Sequence, residues 1–392
     1  MMENDILGRI WPEWAIVKEI GSGSFGTVYK AVRKEYGIES FSAIKLIRIG
    51  SDFPELKLSE EEYTSENTAD FIRNVIDESV REIQIQQEFK GTQNIVSIED
   101  YKVVEEKENQ EWIICIRMEL LTKFTDYAAE HTFTTEDIVK LGTDICSALE
   151  LCERKNVIHR DIKPENIFLN AFGDFKLGDF GIARSLETLS ENLSYRGTYN
   201  YMAPEVARCE TCDKTSDYYA LGLVLYRLVN KNRLPFLNIG KTLYTPSERA
   251  EASKRRIAGE ELPLPCEAPE DLAKVILKAC APDRRDRFQT AAQMKAALLE
   301  LTAEKNNAGR SSAQQNSFDL EAEIAVIAAE LGLSEKGKQS FRKYVLNEYY
   351  KKTGNLQIED GVLQDVKDQA ELRHIIHKVF LKYNAFAEKM KQ

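Results

Sequence analysis

The segment His159–Asn166, which reads His-Arg-Asp-Ile-Lys-Pro-Glu-Asn, constrains the chain more than any other feature of the sequence. It is followed by Asp179-Phe180-Gly181 and, further along, by Ala203-Pro204-Glu205. Three motifs of this kind in this order are not expected from structural coincidence. The fold must therefore bring the first two segments to one site.

The residue types in these segments are those that phosphoryl transfer requires. Asp161 is suited to orient a hydroxyl nucleophile and accept its proton, and Lys163 places a positive charge near the transferred phosphate. Asn166 and Asp179 offer hard oxygen ligands to a metal ion. Because phosphoryl transfer depends on positioning and charge neutralisation, the pattern predicts a need for Mg²⁺, with Mn²⁺ as a substitute.

A glycine-rich run, Gly21–Val28 (Gly-Ser-Gly-Ser-Phe-Gly-Thr-Val), lies between two predicted strands. Its glycines let backbone N–H groups approach phosphate oxygens, although an ordinary tight turn would use the same residues. A dinucleotide-binding turn would lead into a helix, whereas this run leads into a strand. Lys45 lies on the next predicted strand, where it can reach phosphates under the glycines or simply extend to water.

A carboxylate on the following long helix would hold the ammonium of Lys45 in place. Glu82 is the candidate, and Glu78 and Glu88 are the alternatives. Glu78 and Glu82 are four residues apart and share a helix face, so the sequence does not decide between them.

The predicted elements change character at Leu121. Before it, strands are predicted within residues 14–50, the acidic stretch Ser51–Asp70 is interpreted as a loop, and a helix over 71–89 precedes a hairpin. After Leu121 the pattern is mostly helical, with helices predicted over 135–154, 216–230, 268–280 and 291–302.

The last part of the chain is predicted to be separate. Residues 303–317 are rich in Gly, Ser, Asn and Gln and poor in large apolar side chains, which is typical of a linker. Residues 318–392 are predicted to form a small all-α domain with a structural role or a protein partner. Its predicted core consists of Ile324, Ile327, Leu331, Tyr344, Val345, Ile375, Ile376 and Phe380.

Residues 14 to about 302 resemble the eukaryotic-type (Hanks-type) protein kinase family, and its bacterial members in particular. The resemblance rests on the glycine run, Lys45 and the three motifs above, which together cover the length of that domain. It implies an α+β, bilobed fold with ATP in the cleft between the lobes. The N-terminal lobe (14–121) would hold five antiparallel strands and one helix, and the C-terminal lobe (122–302) would be helical.

The resemblance also implies roles for individual residues. Lys45 would contact the α- and β-phosphates and pair with Glu82, Asp161 would be the catalytic base, and Asn166 and Asp179 would bind Mg²⁺. The interval between Lys45 and Glu82 is longer than the family usually shows, so residues 50–68 are interpreted as an insertion. The remaining nucleotide-binding positions would be Ile20, Gly21, Ser22, Gly23, Ser24, Phe25, Gly26, Val28, Ala43 and Met118, with Glu119, Leu120 and Leu121 as the hinge.

Lys163 and the segment Gly197–Met202 resemble the serine/threonine branch of the family, which implies protein substrates with serine or threonine acceptors. In that branch Thr198 bonds to Asp161 and Lys163. Asp217 resembles the aspartate that braces the catalytic loop, which here is His159–Asn166. Arg287 resembles the arginine that pairs with Glu205.

Arg160, beside the catalytic aspartate, suggests regulation by phosphate. A phosphorylated hydroxyl in the segment after Asp179 would pair with it and order the segment. Autophosphorylation is expected at Thr188, Ser190 or Ser194.

Charge and composition narrow the partners. A formal net charge of −11 argues against nucleic acid or an anionic membrane as the main partner. No apolar run approaches the ~20 residues of a membrane span, and the N-terminus does not resemble a signal peptide. The seven cysteines, an odd number, fit reduced thiols, so a cytoplasmic protein is predicted.

Two other functions compete with an active protein kinase. A pseudokinase scaffold would have lost at least one of Lys45, Asp161, Asn166 and Asp179, and all four are present. A kinase fold acting on small molecules usually lacks the Ala-Pro-Glu element and the peptide platform. This chain has both, because Gly197–Met202 resembles the peptide platform.

Overall fold

The structure is a computed structural model, and the chain divides into two compact units, residues 1–304 and residues 305–392. In the first unit it describes residues 3–23, 26–50, 65–106, 111–180, 200–210, 212–241 and 243–304. In the second it describes 305–308, 335–353 and short pieces between 320 and 379.

The first unit begins with a five-stranded antiparallel sheet in the order β1-β2-β3-β5-β4. Four consecutive residues of the β5 strand, Ile113–Ile116, are buried, so apolar groups cover both faces of the sheet. The predicted strands and hairpin of this lobe are confirmed. The strands are β1 (Trp14–Gly23), β2 (Gly26–Glu35), β3 (Ile38–Ile49), β4 (Ile98–Glu106) and β5 (Glu111–Glu119).

One face of the sheet is covered by helix α1 (Glu3–Ile10), which the sequence analysis missed. Its Ile6 and Leu7 are buried in one cluster with Trp11 and Trp14. The indole N–H of Trp11 also donates to Asp100 on β4, at 2.8 Å. A helix of about two turns carries too few apolar positions for a periodic signal, so the sequence pattern did not predict it.

The other face is covered by helix α2 (Ser65–Gln87), whose Val75 and Ile83 pack against Ile47 and Ile114. The helix begins at Ser65 and not at the predicted Phe71, so the predicted loop over 51–70 is wrong for residues 65–70. The acidic first turns contain few apolar residues, and apolar spacing was the signal used to find the helix. Residues 51–64 lie outside the described part.

The rest of the first unit is mainly helical, as predicted, and has one large core. Helix α4 (Thr135–Arg154) begins with a capping box in which Thr134 and Asp137 exchange hydrogen bonds. Helix α7 was missed, because only Ala252 and Arg256 of it are buried and it shows no apolar stripe. The helices are α3 (Phe124–Glu130), α4 (Thr135–Arg154), α5 (Pro204–Ala207), α6 (Thr215–Leu228), α7 (Pro246–Ala258), α8 (Glu270–Ala279) and α9 (Ala291–Ala308).

A small second sheet lies beside the motif residues. Strands β6 (Thr122–Lys123), β7 (Ile167–Leu169) and β8 (Phe175–Leu177) are antiparallel in that order. Strand β7 follows the catalytic loop directly, and β8 precedes Asp179. Their pairing therefore brings the two ends of the site together.

Helix α9 continues to Ala308, so the predicted linker is wrong for residues 303–308. Ala303, Glu304 and Lys305 are strong helix formers, and this propensity outweighs the lack of large apolar side chains. The remainder of the predicted linker, residues 309–317, is not described.

The second unit holds helix α10 (Glu335–Thr353) and also a hairpin that the sequence analysis did not predict, β9 (Gln357–Glu359) with β10 (Val362–Gln364). Of the predicted core, Ile324, Val345, Ile375 and Ile376 are buried and Ile327 is partly buried. The prediction that Tyr344 belongs to this core is wrong, because Tyr344 is 59% exposed. Leu331 and Phe380 are not described.

Among the helices that the structure describes, none is both long enough and apolar enough to span a membrane.

Candidate active site

The loop that carries Asp161 is held by a buried carboxylate. Asp217, near the start of α6, accepts hydrogen bonds from the backbone N–H groups of His159 and Arg160, both at 2.8 Å. The side chain of His159 lies 3.1 Å from the carbonyl oxygen of Gly178 through Nε2. Asp217 thus fixes the backbone of the catalytic loop, and His159 joins this loop to Gly178, the residue before Asp179.

His159 is fully buried, and its ring lies edge-on against Phe180 with 4.6 Å between centroids. Burial lowers the pKa of His159, and the opposing attraction of Asp217 does not reverse the shift. The imidazole is therefore neutral. It donates from Nε2 to Gly178 and accepts at Nδ1 from the N–H of Asp161, at 3.4 Å.

Asp161 is fixed through one of its two oxygens. Oδ2 receives the ammonium of Lys163 at 2.7 Å and the amide N–H of Asn166 at 2.8 Å. The Asn166 amide also donates to the backbone carbonyl of Asp161 at 2.8 Å. The other oxygen, Oδ1, is buried and has no hydrogen-bond partner among the described residues, so it is left as an acceptor at the centre of the site.

Asp179 forms an ion pair with Lys45, with 2.7 Å between Oδ1 and Nζ. The side chain of Lys45 is 12% exposed and that of Asp179 is 37% exposed. Desolvation works to raise the pKa of Asp179, but the ammonium of Lys45 and its hydrogen bond, with His159 and Lys163 nearby, lower it overall. The carboxylate is therefore ionised at neutral pH.

The predicted pairing of Lys45 with Glu82 is not formed. Among the described residues, Asp179 is the ion-pair partner of Lys45. Glu82 lies on α2 and is partly buried. Glu88 is set apart from the other two candidates because it pairs with Lys155 at 2.8 Å, whereas the choice between Glu78 and Glu82 stays open. The pairing depends on where α2 lies over the sheet, which no sequence spacing specifies.

The glycine run lies one strand from Lys45, as predicted. Gly21, Val28 and Lys45 are direct neighbours across β1, β2 and β3. Gly26 has a φ of 132°, and a Cβ there would lie 2.2 Å from the carbonyl oxygen of Leu46, so only glycine fits. Ser24 and Phe25 lie outside the described residues.

The expected nucleotide-binding positions lie along this sheet and the segment that follows it. Ala43 is two residues from Lys45 on the same face and is paired with Met118 of β5. β5 ends at Glu119, and β6 begins after Leu120 and Leu121. Ala43 is buried, Ile20, Gly21, Val28, Met118, Glu119 and Leu121 are partly buried, and Ser22 is exposed.

Two lysines near the site were not anticipated. Lys176 of β8 donates to Oε1 of Glu119 at 2.5 Å, and this oxygen also accepts from the backbone N–H of Ser97 at 2.7 Å. The ammonium of Lys123 lies 2.8 Å from the position that a Cβ of Gly21 would occupy. Neither lysine belongs to a contiguous motif, so only the folded positions of β6 and β8 identify them.

A buried ion pair lies further from the cleft. The guanidinium of Arg287 contacts both oxygens of Glu205, at 2.7 and 2.8 Å, as expected from the resemblance. Ser216 adds a hydrogen bond to Glu205 at 2.9 Å, and Arg287 donates to the carbonyl of Ala281 at 2.7 Å. Although burial works to raise the pKa of Glu205, its hydrogen bonds and the charge of Arg287 lower it overall.

Several residues to which the sequence analysis assigned a motif or a regulatory role lie in residues 181–199, outside the described part. They are Gly181, Thr188, Ser190, Ser194, Gly197, Thr198 and Tyr199. The proposed role of Arg160 as a phosphate partner therefore stays a prediction.

The geometry agrees with comparisons to known proteins. Residues 14–299 match the family described as protein kinase domain. The chain is 28% identical over 295 residues to a probable serine/threonine-protein kinase PknB of Lactococcus lactis, covering 74% of this chain and 42% of that protein. It is 29% identical over 311 residues to the serine/threonine-protein kinase PrkC of Bacillus subtilis, covering 79% and 43%.

A third relative, the serine/threonine-protein kinase PknB of Mycobacterium tuberculosis, is 32% identical over 180 residues, which cover 44% of this chain and 27% of that protein. The chain thus spans less than half the length of these curated relatives.

Proposed function

The chain belongs to the protein kinase family, and on this premise we propose that it transfers the γ-phosphoryl group of ATP to serine or threonine hydroxyls of proteins. The observation that carries the proposal is the buried Oδ1 of Asp161, to which no described residue donates a hydrogen bond. An acceptor held this way, beside Lys163, suits a substrate hydroxyl that must be oriented and deprotonated.

The residues divide the work as follows. Asp161 accepts the hydroxyl proton while Asn166 and Lys163 hold its other oxygen in place. Lys163 also faces the charge that develops on the transferred group. Lys45 and the glycine run bind the phosphates, and Glu82 receives the ammonium of Lys45 when the nucleotide is bound.

The oxygens at hand fit a divalent cation. The amide nitrogen of Asn166 is used toward Asp161, so its oxygen is left for a metal. Asp179 uses Oδ1 toward Lys45, and no described residue bonds to Oδ2. Two hard oxygen ligands on neighbouring segments are suited to Mg²⁺ or Mn²⁺. Bound there, the metal would neutralise phosphate charge.

The adenine would lie against Ile20, Val28, Ala43 and Leu121, with Met118 behind it, and would bond to backbone groups of residues 119–121. The side chain of Glu119 is committed to Lys176 and Ser97, which supports a backbone role for this residue. Autophosphorylation in residues 181–199 and a protein partner for residues 318–392 are further parts of the proposal. All seven cysteines are free thiols, which supports a cytoplasmic location for the kinase domain.

The test is a transfer assay on the full chain with γ-labelled ATP and Mg²⁺. It compares three peptides that differ only in having serine, threonine or tyrosine as the acceptor. We expect label on the serine and threonine peptides and no label with Asp161→Asn. Label on the tyrosine peptide alone would refute the acceptor class. Equal label from Asp161→Asn would refute the catalytic assignment.

A further inference from the structure

A cavity of about 260 Å³ lies between the end of α6, the loop after it and α7. One of its walls is Asn200, which belongs to the segment that resembles the peptide platform. Tyr201, the next residue, is linked to the cavity because its hydroxyl accepts a hydrogen bond from Arg227 at 2.6 Å. The cavity is therefore next to the surface on which the acceptor segment of a substrate is expected to lie.

The charge of the cavity is unusual for this protein. Four arginines line it, and no aspartate or glutamate does, although the chain has a net charge of −11. The four arginines are Arg227, Arg233, Arg249 and Arg256.

Three of these arginines are held by neutral groups or are exposed. Arg227 donates through Nε to the side-chain oxygen of Asn232, and Arg233 donates to the backbone carbonyl of Lys241. Arg249 is exposed on α7. No ion pair between described residues involves any of the three.

Neutral acceptors orient a guanidinium without cancelling its charge. Arg227 uses Nε and Nη1, which leaves the N–H groups of Nη2 for a ligand. Arg233 is also steadied by the ring of Tyr244, with 5.8 Å between its guanidinium carbon and the ring centroid. Oriented guanidinium groups in a cavity are a binding site for carboxylate or phosphate oxygens.

We infer that this cavity binds an anionic side chain of the protein substrate, an aspartate, a glutamate or a phosphorylated residue, within a few residues of the acceptor. The inference rests on the proposed function and deepens it by naming the substrate class. Its location beside Asn200 and Tyr201 favours a segment of the substrate over any other anion.

The experiment measures kcat/KM for a neutral serine peptide and for peptides in which aspartate or phosphoserine replaces each position near the acceptor in turn. We expect at least one anionic position to raise kcat/KM about fivefold or more in the wild-type protein, as charge-assisted contacts near a surface allow. Arg249→Glu is expected to abolish or reverse that preference.

Lys254→Glu is the matched control. Lys254 is exposed on the same helix and does not line the cavity, so the same charge reversal there is expected to keep the preference. Arg233→Gln, which removes a charge without reversing it, is expected to reduce the preference by a smaller factor. The KM for ATP, measured for every variant, reports whether the fold and nucleotide site are intact.

The outcomes separate this inference from the proposed function. If the wild-type protein labels no peptide, the proposed function fails. If it labels neutral and anionic peptides equally, only the inference is overturned. A preference that survives both Arg249→Glu and Arg233→Gln also overturns it.

Discussion

Glu205–Arg287 and Lys45–Asp179 both join a motif carboxylate to a basic side chain, but their surroundings differ. The Arg287 side chain is fully buried, that of Glu205 is 7% exposed, and the two share two hydrogen bonds. Lys45 and Asp179 share one contact, and more than a third of the Asp179 side chain is exposed. A buried pair with satisfied groups is costly to break, whereas a single, partly exposed contact exchanges more easily.

The difference separates a pair that supports the fold from a pair that is proposed to change partners during the reaction. Ser216 adds a hydrogen bond to Glu205, and the carbonyl of Ala281 accepts one from Arg287, so both members of this pair are held in place. Lys45, by contrast, pairs with Asp179 in this structure. In the proposed reaction its alternative partners are the phosphates and Glu82. The predictions below test whether one pair supports the fold and the other serves the chemistry.

The largest effect is expected from Arg287→Ala. Removing the guanidinium leaves Glu205 buried and unpaired, so the free energy of unfolding should fall by about 3–5 kcal/mol. Denaturant unfolding of the full chain measures it. Arg285→Ala is the control, because Arg285 is 84% exposed in its pair with Asp283, and it should cost less than about 1 kcal/mol. Equal losses would contradict the distinction.

Lys45→Met should show the opposite pattern. We expect phosphoryl transfer to fall by about 10²–10³-fold, since a positioned cation is lost, while unfolding changes by less than about 1 kcal/mol. Lys34→Met is the control on the same sheet, because Lys34 forms an exposed pair with Glu39. A destabilisation by Lys45→Met as large as that of Arg287→Ala would show that the Lys45–Asp179 pair also supports the fold.

The buried pair should also be visible in the pH dependence of stability. The pKa of Glu205 is lowered in the folded protein, so the folded state holds the ionised form more strongly than the unfolded state does. Its contribution is full above the ordinary value of 4.5 and is lost as pH falls below it through the lowered pKa.

Unfolding measurements between pH 7 and pH 3 compare the wild-type protein with Glu205→Gln. We expect part of the acid-induced loss of stability to be missing in the variant. Superimposable pH profiles, apart from a constant offset, would show that Glu205 does not titrate differently in the two states.

The smallest effect is expected from Lys123→Met. If the ammonium beside Gly21 contributes to nucleotide binding, the KM for ATP should rise about fivefold, the size of a partly exposed charge contact. Gly21→Ala would displace the same ammonium, so the two substitutions together should cost less than the sum of both. Full additivity would mean that the residues act separately.

The contacts of the candidate site that could be predicted from the sequence are those between residues close together along the chain or on consecutive strands. Asp161, Lys163 and Asn166 lie within one short loop, so their residue types alone predict that they meet. Lys45 was placed correctly relative to Gly21 because consecutive antiparallel strands pair directly. The partner of Lys45 was not predicted, because it depends on the position of α2 over the sheet.

Other misses have similar causes. In α10, Phe341, Val345 and Tyr349 are four residues apart and form the buried face, whereas Tyr344 is one position off that face and is exposed. That spacing was readable from the sequence. The pairing of Glu119 with Lys176 was not, because it joins distant segments that only the fold brings together.

The most direct test of the account is the single-turnover rate of phosphoryl transfer for Asp161→Asn, with ATP affinity measured in parallel on the full chain. The substituted amide would keep the shape of the side chain but would not accept a proton, so the rate should fall by about 10²–10⁴-fold while ATP binds as before. An unchanged rate with unchanged affinity would contradict the assignment of the Asp161 carboxylate as the acceptor of the substrate proton.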